Sequence, residues 1–112
     1  MSTETVQFRR RQATLSATAG ASDTYIMPSD YDRVSVSVHP GTGGTATLDI
    51  SCASPAEIAA GEAEWVAVQF GANTDVSDNE AAEISPAVSA VRLSATTSDA
   101  TAHVSMLDTR ER

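Results

Sequence analysis

Lysine does not occur in this 112-residue sequence, cysteine occurs once, and aromatic side chains make up only 4% of it. Each shortage closes a route. Without lysine there is no Walker-type phosphate loop, no Schiff base and no catalytic Ser–Lys pair. A single cysteine, Cys52, forms neither an intramolecular disulfide nor a cysteine-based zinc centre. Apolar runs extend over a few residues only, too short to span a bilayer, and no apolar stretch of the kind that makes a secretory leader follows the charged start. The sequence therefore predicts no membrane association and no leader. At this length it makes one domain, burying about 65% of the surface its unfolded chain exposes, with a modest core that has no cross-links to support it.

Positive charge is the other scarce commodity. Seven basic residues face fifteen acidic ones, for a net charge of -8, and they are unevenly placed. Arg9, Arg10 and Arg11 make the start basic, whereas residues 13–108 hold only Arg33 and Arg92 against thirteen acids. This asymmetry divides the chain into an extended basic arm at 1–12, a body at 13–108 and a short tail at 109–112. The carboxylates of the body would repel phosphates, so no nucleic acid is expected to bind there.

What is present reads as β-structure. Arg33-Val34-Ser35-Val36-Ser37-Val38-His39 alternates strictly, which places three valines on one face. Ala46, Leu48, Ile50 and Cys52 repeat the alternation, and Pro40-Gly41-Thr42-Gly43-Gly44 lies between the two segments, so the pattern predicts a hairpin. A second hairpin is expected from Val88–Ala95 to Thr101–Leu107 through a polar turn at 96–100. Ala13–Ala19, Thr24–Met27, Glu64–Phe70 and Ala81–Ser85 are further strand candidates. Trp65, Val66, Val68 and Phe70 compete for burial in one of these. Ser54-Pro55-Ala56-Glu57 has capping-box form and predicts one short helix, with Gly61 ending it. Seven or eight short strands, one short helix and an N-terminal arm define the expected fold class: an all-β antiparallel sandwich, jelly-roll-like, in a single domain. Its core should be thin, since small Ala and Ser residues fill many inward positions, and association between copies would supply buried area that the monomer lacks.

Catalytic chemistry finds little purchase. His39 and His103 fall on predicted strands, on the faces opposite the valines, and G-x-S-x-G is absent, so no serine is singled out as a nucleophile. Asp75, Asp78, Asn79 and Glu80 form an acidic loop whose start loosely echoes a calcium-binding loop. Glu80 then stands where glycine is needed and Pro86 where the bidentate Glu is needed, so the loop reads first as solvated and only weakly as a calcium site. The glycine-rich segment at 40–44 opens no helix and so is not an anion cradle. No cofactor is implied. The arm is the sharper feature: Val6 and Phe8 supply apolar anchors and Arg9, Arg10 and Arg11 can make bidentate contacts with carboxylates, so it is expected to strap onto an acidic neighbour, including a second copy. Trp65 is a contact aromatic on this reading, and part of the core on the other.

The stretch Ile84-Ser85-Pro86-Ala87-Val88-Ser89-Ala90-Val91-Arg92-Leu93-Ser94-Ala95, followed by a polar turn and Ala100-Thr101-Ala102-His103-Val104-Ser105-Met106-Leu107, resembles the small all-β structural proteins of tailed bacteriophages, in particular head decoration (cement) proteins and related head- or tail-fibre domains. The upstream strand Trp65–Phe70 fits the same style, and the helical insert at 54–61 departs from it. The resemblance implies a non-enzymatic virion component made in the host cytoplasm, located on the head surface, with the major capsid protein as partner and a homo-oligomer, a trimer, as its own state. A tail, neck or receptor-binding fibre component is the neighbouring alternative. A carbohydrate-binding module, with Trp65, Tyr25 and Tyr31 stacking on sugar rings, is the alternative from another class, and a small hydrolase dependent on His39 or His103 comes last.

Overall fold

A computed structural model of the chain describes residues 9–109. The elements are β1 (Arg9–Ala17), β2 (Ser22–Ile26), β3 (Arg33–Pro40), β4 (Thr45–Ser51), α1 (Pro55–Ala59), β5 (Val66–Ala67), β6 (Asp75–Val76), β7 (Glu80–Ile84), β8 (Ala90–Thr96) and β9 (Ala100–Asp108). They form two antiparallel sheets, ordered β1-β9-β3-β7 and β2-β8-β4-β5, with β6 also pairing to β4. The all-β, single-domain expectation holds.

Alternation decides which residues meet between the sheets. Val34, Val36, Val38, Val104 and Met106 from the first sheet face Leu48, Val91 and Leu93 from the second, each at most 1% exposed. Ala46, Ala95 and Ala102 fill the same layer, so the core is closed by small side chains as expected.

Both predicted hairpins are overturned. β3 pairs with β9 and β7, whereas β4 pairs with β8, β5 and β6, so the segment at 40–44 carries the chain from one sheet to the other and is no hairpin loop. The turn after β8 does the same in reverse, since β9 lies in the opposite sheet. Alternation identifies the buried face of a strand and says nothing about its neighbour. A glycine-rich break serves equally for reversal within a sheet and for a corner between sheets.

The corners are built together. β1 continues into β2, β3 into β4 and β8 into β9, and in each pair one strand lies in each sheet. Three long strands therefore bend over the same end of the sandwich, with β8–β9 in the middle. Each corner holds one residue of positive φ: Gly20 at 80°, Gly43 at 76° and Thr97 at 61°. The corners are tied across by Gly20 N–H to the Ala95 carbonyl at 2.8 Å and Ala19 N–H to the Asp99 carboxylate at 2.9 Å. On the other side Ser98 Oγ donates to the Thr42 carbonyl at 2.9 Å.

The other end is looser. The predicted strand Glu64–Phe70 contracts to β5, although the Val68 N–H still reaches the Leu48 carbonyl at 2.8 Å. The helix is as expected: Ser54 caps it, Glu57 closes the box and Pro55 opens the first turn. The boundary expected at residue 12 falls inside β1, because Arg9–Gln12 already pair with β9.

Candidate partner-binding surfaces

The arm residues divide. Val6 and Phe8 lie outside the described residues, while Arg9, Arg10 and Arg11 form the first rungs of β1. Arg9 is committed to its own body. Its guanidinium contacts Asp30 at 3.0 Å and Asp108 at 3.3 Å, and its Cζ lies 4.7 Å from the centre of the Tyr31 ring. Asp108 is buried, so this bridge stabilises a charge held away from water. Arg10 donates to Ser105 Oγ at 3.1 Å and has no carboxylate partner among the described residues. Arg11 is exposed. Arg9 is thus engaged within its own body, whereas Arg10 and Arg11 have no carboxylate partner among the described residues.

Trp65 lies outside the buried core. Residues 65 and 67 face outward from the second sheet, and the half-buried indole lies under Arg92, whose Cζ is 4.4 Å from its ring centre. Arg92 also donates to Asp49 at 2.9 Å. Trp65, Arg92 and Asp49 therefore make a preordered polar-aromatic patch. Sequence reading missed Arg92 and Asp49; the available signal was that Arg92 is one of two bases in the acidic body and sits out of phase with Val91 and Leu93.

Beside this patch, on the inner side of the same sheet, β5 and β4 extend beyond the cover of the opposing sheet. Ile50, Cys52 and Val66 line an open groove of about 400 Å³ with Glu57, Glu62 and Glu64. Val66 is 65% exposed, a large value for a β-branched side chain at an inward position. The carboxylates make the groove complementary to an apolar segment carrying positive charge.

The three aromatics of the carbohydrate reading do not share a surface. Tyr31 is buried, and Tyr25 packs against the core with its hydroxyl 4.0 Å from Met106 Sδ. Tyr25 and Trp65 are each partly open, Tyr25 with its side chain turned to the core and Trp65 on the outer face. The acidic loop fares similarly. Asp75 accepts a hydrogen bond from Thr47 Oγ1 at 2.9 Å, and among the described residues no three His, Cys, Asp or Glu side chains gather closely enough to hold a metal ion.

Tertiary pairing does bring the histidines together. β3 lies beside β9, so His39 and His103 meet on the outer face of the first sheet with ring centres 5.2 Å apart. Ser37 Oγ lies 3.1 Å from His39 Nε2 and Thr14 Oγ1 3.2 Å from His103 Nδ1. No carboxylate completes a triad with either ring in the described contacts, so the arrangement does not activate a hydroxyl in the Ser–His–Asp manner.

At the looser end, the carboxylate of Asp32 accepts hydrogen bonds from the hydroxyl and the amide of Thr109. Those two donors hold the Asp32 carboxyl below its ordinary value. The contact pins the end of β9 to the loop that enters β3.

No protein-family model matches the chain, and no curated protein matches it either. Among the described residues no helix is long and apolar enough to cross a membrane.

Proposed function

We propose that this chain is a non-enzymatic structural protein of a tailed-bacteriophage virion, a decoration protein that binds the outside of the head and strengthens contacts between capsid subunits. The observation that carries the reading is the exposed Val66 in the Glu-lined groove on the inner side of the second sheet, with the Trp65–Arg92–Asp49 patch on its outer side. Apolar surface held open and an ordered aromatic patch are each the make-up of a protein contact. The resemblance of residues 84–107 to phage head proteins supplies the class of partner. The mechanism is bridging. Each copy buries one patch on a capsid subunit and another on a neighbour, so that separating the subunits requires breaking both, and repeated weak contacts act together.

The test is to add purified protein to heads that lack it, image them and follow the temperature at which the shells break. Saturable, symmetric surface density with a raised rupture temperature is expected. Density confined to the tail vertex would replace the reading with the tail or fibre alternative, and no density would reject both.

A further inference from the structure

The two ends of the first sheet carry opposite charge. Its order, β1-β9-β3-β7, leaves β1 and β7 as edge strands. Ser16 N–H donates to the Asp23 carboxylate at 3.0 Å and not to β9. Because successive residues of an antiparallel strand turn their backbone groups to opposite sides, Arg10, Gln12 and Thr14 also direct theirs away from β9. The same alternation, carried through the registers of β9, β3 and β7, turns the backbone of Ala81 and Glu83 away from β3. Among the described residues both edges therefore offer unpaired donors and acceptors, the usual template for adding a strand.

We propose that a second copy of this chain pairs its β1 antiparallel to β7, extending the first sheet from one molecule into the next. β1 runs parallel to β3 and antiparallel to β7, so a neighbouring copy in the same orientation presents its β1 in the required direction. Setting Arg10 opposite Glu83 places Gln12 opposite Ala81, with the backbone groups of all four residues facing one another. Both charged side chains then stand on the outer face, where Arg10 already touches Ser105 and Glu83 already bonds Arg33 at 2.7 Å. The Glu83 carboxylate has acceptor capacity for both guanidinium groups. On the inner side Arg11 and Glu80 become diagonal neighbours, within reach of long side chains.

Charge also selects against the other pairings. β1 against β1 sets arginines together, and β7 against β7 sets Glu80 and Glu83 together. Only the unlike edges attract, and unlike edges make a head-to-tail contact that closes into a ring or grows as a filament. The proposal is independent of what the outer patches bind.

Molar mass by light scattering, measured over a wide concentration range, tests it with three samples: wild type, Arg10→Glu and Glu83→Arg. Assemblies larger than a monomer are expected for wild type, with the dissociation constant raised about tenfold or more in either variant and an unchanged β circular dichroism spectrum. Mixing the two variants restores complementary edges throughout and should restore assembly. In hydrogen exchange, the Gln12 amide should become protected as wild type is concentrated. A wild type that stays monomeric, or variants that assemble as wild type does, would overturn the proposal.

Discussion

Arg9 shows how one side chain can change its meaning on folding. In the sequence it is the first of three arginines in a basic arm; in the structure it spans Asp30, the buried Asp108 and the Tyr31 ring. Replacing Arg9 by Ala removes one partner of a buried carboxylate and a cation over an aromatic face, and should cost about 1–2 kcal/mol in denaturant unfolding. Arg9→Lys should recover only part of this, because a single ammonium lacks the planar fork that reaches two carboxylates while stacking. Asp32 gives a pH dependence of defined sign. Its folded pKa lies below the unfolded value of about 3.9, so its contribution is complete above that value and is lost as pH falls through the lowered folded one. Thermal unfolding across the acid range should show wild type losing stability in this window, and Asp32→Asn losing less there while starting lower at neutral pH.

The three corners carry the element-level chemistry. Glycine supplies the left-handed residue in two of them, but the third uses Thr97, a β-branched residue at φ 61°. Such a conformation costs about 1–2 kcal/mol for a residue with a branched Cβ. Thr97→Gly relieves it, offset by chain entropy and by loss of the bonds from Thr97 Oγ1 to Thr96 and Gly43. The net expected change is a gain of up to about 1 kcal/mol, read as a higher melting temperature. Gly41 is fixed for a different reason. A Cβ there would stand 2.4 Å from the Asp99 carbonyl oxygen and 2.8 Å from Ser98 Cβ. Gly41→Ala should therefore destabilise by about 1–3 kcal/mol, the range for overpacking at a close approach, and a result within error of wild type would show that the two corners can separate freely.

For the molecule as a whole, the placement of β1 sets where the chain can be cut. Removing residues 1–8 takes away Val6 and Phe8 but none of the described rungs, and attachment to shells should weaken. Removing residues 1–12 also deletes Arg9 and four rungs of pairing with β9. That protein should melt several degrees lower, in line with losing on the order of 1–2 kcal/mol from a domain of this size. Equal attachment by the shorter truncation and the full chain would take Val6 and Phe8 out of the binding mechanism. Trp65→Ala should weaken shell attachment with little loss of stability, since its ring lies outside the main core on the outer face.

Much of the fold was legible along the chain. Period-two alternation picked out the buried faces of β3, β8 and β9, and the Ser54–Glu57 spacing located α1, because strand faces and helix caps depend on neighbours within a few residues. The shortages of lysine and cysteine removed whole chemistries before any folding was considered. Partnership between strands lay beyond that reach. Whether Gly41–Gly44 reverses within a sheet or crosses between two depends on where β9 and β8 lie, some 50 residues away in sequence. The same long-range pairing brought His39 to His103, set Arg92 over Trp65 and turned Arg9 inward to Asp108. Local geometry is written in residue order, whereas sheet order and the opposition of charged edges arise from the simultaneous packing of all the strands.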